Sequence, residues 1–414
     1  MNYVLGYRCT LCQKEYKADL NLYTCPACGT EGILDILYDY GKMKKKVTAR
    51  SLAANKNYSM WRYAPFLTVP EENLDRTLRV GWTPLYTANW LAGQLGLRAL
   101  YIKDDGLNPT GSLKDRASAV AVIKAFESGK DIIGTSSTGN AASSLAGNAA
   151  RMGVKTVIFV PERAPAGKVA QLLIYGAKVI SVLGNYRQTF ELSQQAIERW
   201  GWYNRNCAIN PHLVEGKKTV ALEIAEQLNW DVPDWVAVSV GDGCTVGGVY
   251  KGFYDLLQLG LIEKIPQILG VQAEGCSPIV RAFKNGKSNV SAWEEPHTVA
   301  HSIADPLNGY PEDGSLTLKY IRESHGVAES VTDEEMVESV HLLARTEGLF
   351  AEPSSAATIA VIRKLKNSGT IGPDDIVVPV ITGTGLKSIG TVSVQNIPEV
   401  DSGDIKSLAK ISQS

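Results

Sequence analysis

LRALYIKDDGLNPTGSLKDRASAVAVIKAFESGKDIIGTSS, residues 97–137, is the stretch that decides the fold. An apolar run (97–103) leads through the turn residues Asn108, Pro109 and Gly111 into a helical pattern (113–129). A second apolar run follows at 131–137. Strand, helix and strand in succession is the repeating unit of a parallel-sheet α/β fold. The runs are rich in Val and Ile and are continuous, as expected of strands covered by helices on both faces. Working outward, KTVIFVP (155–161), AKVISVL (177–183), WVAVSVG (235–241), QILGVQA (267–273) and DIVVPVITG (375–383) read as further strands. Residues 141–153 and 190–201 read as helices between them.

With 414 residues the chain has room for two to three domains. Its 42 Lys plus Arg balance 43 Asp plus Glu, so no broad basic field is offered to nucleic acid or to an anionic membrane. The basic run from Lys42 to Lys46 reads as a solvated linker face. No apolar stretch reaches the roughly 18 residues of a membrane span, and the N-terminus lacks a signal-peptide pattern. The expected organisation is a cysteine-punctuated unit at 1–40, a connecting segment at 41–80, an α/β body at 81–393 and a polar tail at 394–414.

Cys9 and Cys12, then Cys25 and Cys28, form two C-x-x-C pairs separated by twelve residues. Each pair can bend so that both sulfurs face one centre, and four thiolates close a tetrahedral zinc site of structural type. A forty-residue unit buries too little apolar surface to dispense with such a staple. Reduced, metal-type cysteines point to the cytoplasm. Cys207, Cys244 and Cys276 read as packed residues or neighbours of a site.

Lys114 falls in the first turn of the 113–129 helix, with Ser112 as its expected cap. The helix dipole there opposes an ammonium, which helps keep an amine nucleophilic. Thr135-Ser-Ser-Thr-Gly-Asn140 lies between a strand and a helix, a position suited to a carboxylate. Gly241-Asp-Gly-Cys-Thr245, followed by Gly247 and Gly248, can wrap an anion with backbone N–H groups. Ile381-Thr-Gly-Thr-Gly385-Leu-Lys387 ends the last strong strand. All four segments are turns or strand ends, where parallel sheets bind ligands.

Taken together, NPTGSLKDR, SSTGN, the Gly-rich turn and ITGTGLK resemble the fold-type II enzymes that use pyridoxal phosphate (PLP), and among them the threonine synthases. VGWTPLY (80–86), MWRY (60–63), EPSSAA (352–357) and the cysteine unit extend the resemblance over nearly the whole chain. It implies two open parallel-sheet α/β lobes with the cofactor in the cleft, a small N-terminal zinc ribbon, and a homodimer. Lys114 becomes the Schiff-base lysine and general base. Asn140 contacts the phenolic oxygen of PLP. Ser137, Thr138, Gly139 and Asn140 hold the carboxylate of a small amino-acid substrate. Gly241, Asp242, Gly243, Cys244 and Thr245 line the cofactor phosphate, and Thr382 faces the pyridine nitrogen. A hydroxyl there does not keep that nitrogen protonated, which favours elimination and replacement over transamination.

The sequence departs from this family in two places. Threonine synthases grip the phosphate of O-phosphohomoserine with Asn, Ser and Arg where this chain has Cys207, Ala208 and Leu213. His212 and Lys217 are the candidates to compensate. Ser302-Ile-Ala-Asp305 replaces a run that carries a basic residue; Asp305 reads first as a turn cap before Pro306, and second as an acidic group in the pocket suited to a cationic or hydroxylated substrate. The leading expectation is a PLP lyase of the threonine synthase group, producing threonine and phosphate. The missing clamp favours a paralogue with another amino acid, acting on diaminopropionate, serine or threonine by ammonia loss, or by cysteate-synthase-like replacement. A non-catalytic PLP-carrying regulatory protein is the expectation from a different class.

Overall fold

Four short strands build the first forty residues: β1 (Val4–Cys9), β2 (Glu15–Tyr16), β3 (Thr24–Cys25) and β4 (Gly29–Tyr38). They pair in the order β2-β1-β4-β3, with antiparallel ladders. The structure is a computed structural model that describes residues 3–207 and 209–391. Ala208 and the tail expected at 394–414 lie outside the described residues. Along β4, alternation buries Leu34, Ile36 and Tyr38 on one face, as a period of two requires. That face packs into the core of the body.

Residues 41–80 form more than a connector. Met60, Trp61, Tyr63 and Phe66 are buried within a 3-10 segment (Met60–Phe66), and Arg62 pairs with Glu226 at 2.6 Å.

The body contains β5 (Leu85–Thr87), β6 (Ala99–Asp104), β7 (Ile132–Ser136), β8 (Lys155–Pro161), β9 (Lys178–Val182), β10 (Tyr203–Asn204), β11 (Trp235–Ser239), β12 (Gln267–Ala273), β13 (Val327–Val331) and β14 (Ile376–Ile381). Every strand expected from the sequence is present, while the short β5, β10 and β13 carry too little apolar pattern to be anticipated. Six strands form one sheet in the order β13-β12-β11-β14-β6-β5, parallel except for β5. β7 to β10 form a second, fully parallel sheet in the order β10-β7-β8-β9. The chain thus begins the larger sheet, leaves after β6 to build the smaller one, and returns at β11.

Candidate active site

Three segments that follow β6, β11 and β14 meet because those strands are near neighbours in one parallel sheet. The fourth, after β7, comes from the smaller sheet and closes the opposite side. Between them lies a cavity of about 500 Å³. Lys114, Ser137, Thr138, Gly139, Asn140, Gly241, Asp242, Gly243, Thr245 and Thr382 all line it. Of the residues expected at the site, Cys244 does not line it. Its thiol lies 3.3 Å from Asp313 Oδ2 instead.

Lys114 opens the helix Lys114–Glu127, and its side chain makes no hydrogen bond or ion pair among the described residues. Ser112 does not cap this helix: its hydroxyl is buried without a partner among the described residues, and Leu113 occupies the cap position. The turn is held by backbone bonds instead. Leu113 N–H donates to Thr382 O at 2.8 Å, and Ser112 bridges to Gly383. Beneath it, Arg116 is fully buried and holds Asp105 at 2.6 Å and Glu223 at 2.5 Å, while Lys103 reaches Glu223 at 2.7 Å.

The turn after β11 can accept an anion. Gly243 has φ +99°, and a Cβ there would land on Thr317 Oγ1. Cys244 N–H is taken by the Asp242 carboxylate at 3.0 Å, but Gly243, Thr245 and Val246 N–H have no acceptor among the described residues. They are the free donors of a helix first turn, Cys244–Leu259. Burial pushes the Asp242 carboxyl up, but the charges of Lys217 and Lys114 outweigh it and hold Asp242 below the usual range.

On the other wall, the helix Asn140–Met152 presents its N-terminus to the cavity. Ser136, just before it, has a buried hydroxyl without a partner among the described residues. The Asn140 amide is fixed from both ends: it donates to Glu352 at 3.0 Å and accepts from Lys387 Nζ at 3.0 Å. Burial pushes Glu352 up and Lys387 down. Thr382 shares a hydrogen bond with Ser355 at 2.9 Å. EPSSAA and ITGTGLK do not by themselves reveal Glu352, Ser355 or Lys387, because the partnership with Asn140 exists only in three dimensions. Free N–H groups at a glycine turn, a lysine without a partner and an orphaned hydroxyl fit a phosphorylated, lysine-bound cofactor such as PLP.

The departures resolve unevenly. Leu213 is core, and His212 lies outside the cavity lining, between Thr68 and Tyr7. Burial pushes His212 down to about 3, so it stays neutral and cannot replace a lost cation. Lys217 Nζ lies 3.7 Å from Cys207 Sγ, and the guanidinium of Arg205, on the cavity wall, lies 3.5 Å from the same sulfur. Arg205 went unnoticed in the sequence because nothing in YNRNC marks which way it faces. Asp305 caps its turn through Leu307 N–H at 2.9 Å as expected, and also lines the cavity.

In the N-terminal unit the sulfurs of Cys9, Cys12, Cys25 and Cys28 all lie within 4.8 Å of one another. The Cys9–Cys28 and Cys12–Cys25 separations are 4.0 and 3.7 Å. A tetrahedron of Zn–S bonds near 2.3 Å has edges of about 3.8 Å, so the set fits such an ion.

Comparison with known proteins agrees with this geometry. A family model described as pyridoxal-phosphate dependent enzyme matches residues 76–383, and the chain belongs to that family. Solved structures share the fold: maize serine racemase (TM-score 0.64, 20% identity, 80% of this chain and 91% of that one) and a threonine deaminase from Solanum lycopersicum (0.65, 19%, 80% and 92%). Within the family the chain groups with the threonine synthases, as a PLP-dependent lyase of that type. It is 43% identical to the threonine synthase of Methanocaldococcus jannaschii over 92% of both chains, and 41% identical to that of Methanosarcina acetivorans over 93% of both. These relatives do not favour the paralogue acting on another amino acid that the missing clamp suggested. Among the described residues no helix is long and apolar enough to cross a membrane.

Proposed function

We propose that the chain converts O-phosphohomoserine to threonine and inorganic phosphate, with PLP held on Lys114. The observation that carries this reading is Lys114 itself, on the cavity wall without a hydrogen-bond partner, between a phosphate-suited turn and a helix N-terminus. When bound, PLP supplies an electron sink for charge at the substrate Cα. Gly241, Gly243 and Thr245 would hold its phosphate mainly through backbone groups, with Asp242 shaping the turn by taking the Cys244 N–H. Asn140 would meet its phenolic oxygen and the Thr382 hydroxyl its ring nitrogen. Ser137, Thr138, Gly139 and Asn140 present hydroxyls and N–H groups to the substrate carboxylate. Lys114 takes and returns the proton at Cα. Arg205 and Lys217 supply the positive field for the substrate phosphate that Cys207 and Leu213 do not.

The same reading makes 1–40 a zinc ribbon with Zn²⁺ on Cys9, Cys12, Cys25 and Cys28, 41–80 a packed connecting segment, and 81–393 the two-lobed catalytic body. It places the protein in the cytoplasm as a homodimer. The test is turnover of O-phosphohomoserine against O-phosphoserine, serine, threonine and diaminopropionate. Equal release of phosphate and threonine from the first alone is expected. Keto-acid release from an unphosphorylated substrate would overturn the reading. Lys114→Ala should abolish both turnover and the cofactor's lysine-dependent visible absorption.

A further inference from the structure

We propose that Cys207 is a peroxide-reactive thiolate on the cavity wall, and that Cys244 is the resolving thiol with which it closes a reversible disulfide. This goes beyond the threonine synthase reading, although it draws on the same two cations. The sulfurs of Cys207 and Cys244 and an Asp242 carboxylate oxygen lie within 4.8 Å of one another. Cys207 belongs to the loop after β10 of the smaller sheet, whereas Cys244 opens the helix that follows β11 of the larger one. A bond between them ties the two walls of the cavity together.

The surroundings separate the roles of the two thiols. Arg205 Nη1 and Lys217 Nζ stand 3.5 and 3.7 Å from Cys207 Sγ. Both cations are buried, and neither makes an ion pair with a carboxylate among the described residues. Two cations beside one sulfur favour its thiolate, which is the nucleophile in thiol chemistry. The neighbouring Cys244 thiol and the charge of Lys217 hold the Cys207 thiol well below its ordinary value. The Cys244 thiol donates to Asp313 Oδ2 at 3.3 Å, and its neighbour Cys207 together with burial pushes it well above. Cys207 lines the cavity and meets a small oxidant first, whereas Cys276 is fully buried. The same three ligand atoms could suit a thiophilic metal ion, but the two cations beside Cys207 oppose one.

The chemistry balances with hydrogen peroxide as the oxidant. The Cys207 thiolate attacks one peroxide oxygen, an S–O bond forms, and the O–O bond breaks with loss of hydroxide. Cys244 then attacks the oxidised sulfur. The S–S bond forms, the S–O bond breaks, and the departing hydroxide leaves as water with the proton from Cys244. The first hydroxide takes up the proton that Cys207 released on ionising, so the net change is two thiols and one peroxide to one disulfide and two waters, and a dithiol reverses it.

The test treats holoenzyme with hydrogen peroxide and follows activity, intact mass and peptide maps. Expected is a Cys207–Cys244 cross-linked peptide, with loss of two hydrogens, appearing at the rate of inactivation. Activity, relative to each protein's own untreated value, should fall at least about tenfold, since small displacements at a reacting centre are costly. Dithiothreitol should restore it. In Cys244→Ser, oxidation should run on to a sulfinic acid at Cys207 that dithiothreitol does not reverse. Cys276→Ser should behave as the parent. Absence of the cross-link, or inactivation of Cys207→Ser at the parental rate, would overturn the proposal. So would a cross-link that leaves activity unchanged. The peptide map needs no turnover, so its outcome stands apart from that of the substrate screen.

Discussion

Asp305 lines the cavity, and burial together with the charge of Asp242 pushes its carboxyl from 3.8 up to about 7. Between those values the folded chain keeps a proton that the unfolded chain has released. The stability this contributes is complete below the unfolded value and is lost as pH rises through the folded one. Asp305→Asn lacks the titration. The stability of the parent relative to this variant should therefore fall from about pH 4 to about pH 7 and be flat above it, as read from urea midpoints. A flat difference across that window would show that Asp305 ionises at its ordinary value. The turn cap at Asp305 was legible in the sequence because it is local. Its place on the cavity wall was only the second reading, and its closeness to Asp242 was not legible, because the two are sixty-three residues apart.

At the scale of the element, the Lys114 helix rests on charges that water never reaches. Arg116→Met leaves Asp105 and Glu223 buried without their main cation, a change expected to cost about 3–5 kcal/mol in denaturant unfolding. The double change that also replaces Asp105 by Asn should recover part of that loss. The turn at Gly243 is set by backbone conformation and space together. Gly243→Ala should cost about 1–3 kcal/mol of stability and weaken PLP retention in dialysis, because φ +99° is strained for alanine and Thr317 stands in the way. NPTGSLKDR and GDGCT announced both turns in the sequence. The partners that brace them, Glu223 and Thr317, came from distant segments with no motif of their own.

At the scale of the molecule, the ribbon sits on the back of the cavity's own framework. Tyr38 donates to Glu215 at 2.5 Å, Tyr40 donates to Asp255 at 2.6 Å, and Lys251 binds Asp35 and the Ile36 carbonyl. Glu215 belongs to the helix His212–Lys217, which carries Lys217, while Lys251 and Asp255 belong to the helix that Cys244 opens. Removing the proposed zinc with a chelator should lower the unfolding free energy by about 3 kcal/mol, the scale of two hydrogen bonds to charged groups. Zinc should restore it, and Cys12→Ser should reproduce the loss without a chelator. An unchanged midpoint after confirmed metal removal would show that the ribbon folds without the ion.

What the sequence determined by itself was whatever depends on neighbours along the chain. Continuous Val/Ile runs gave the strands, C-x-x-C spacing the four-sulfur cluster, and short Gly/Ser/Thr turns the cavity segments from Lys114 to Thr382. Tertiary structure decided which strands share a sheet, since β6 pairs with β14 across more than 270 residues. It decided that Asn140 is gripped by Glu352 and Lys387, and that Arg205 and Lys217 converge on Cys207. The physical reason is that patterning encodes which side of an element is buried, whereas charge pairing depends on distances that only the folded sheets create.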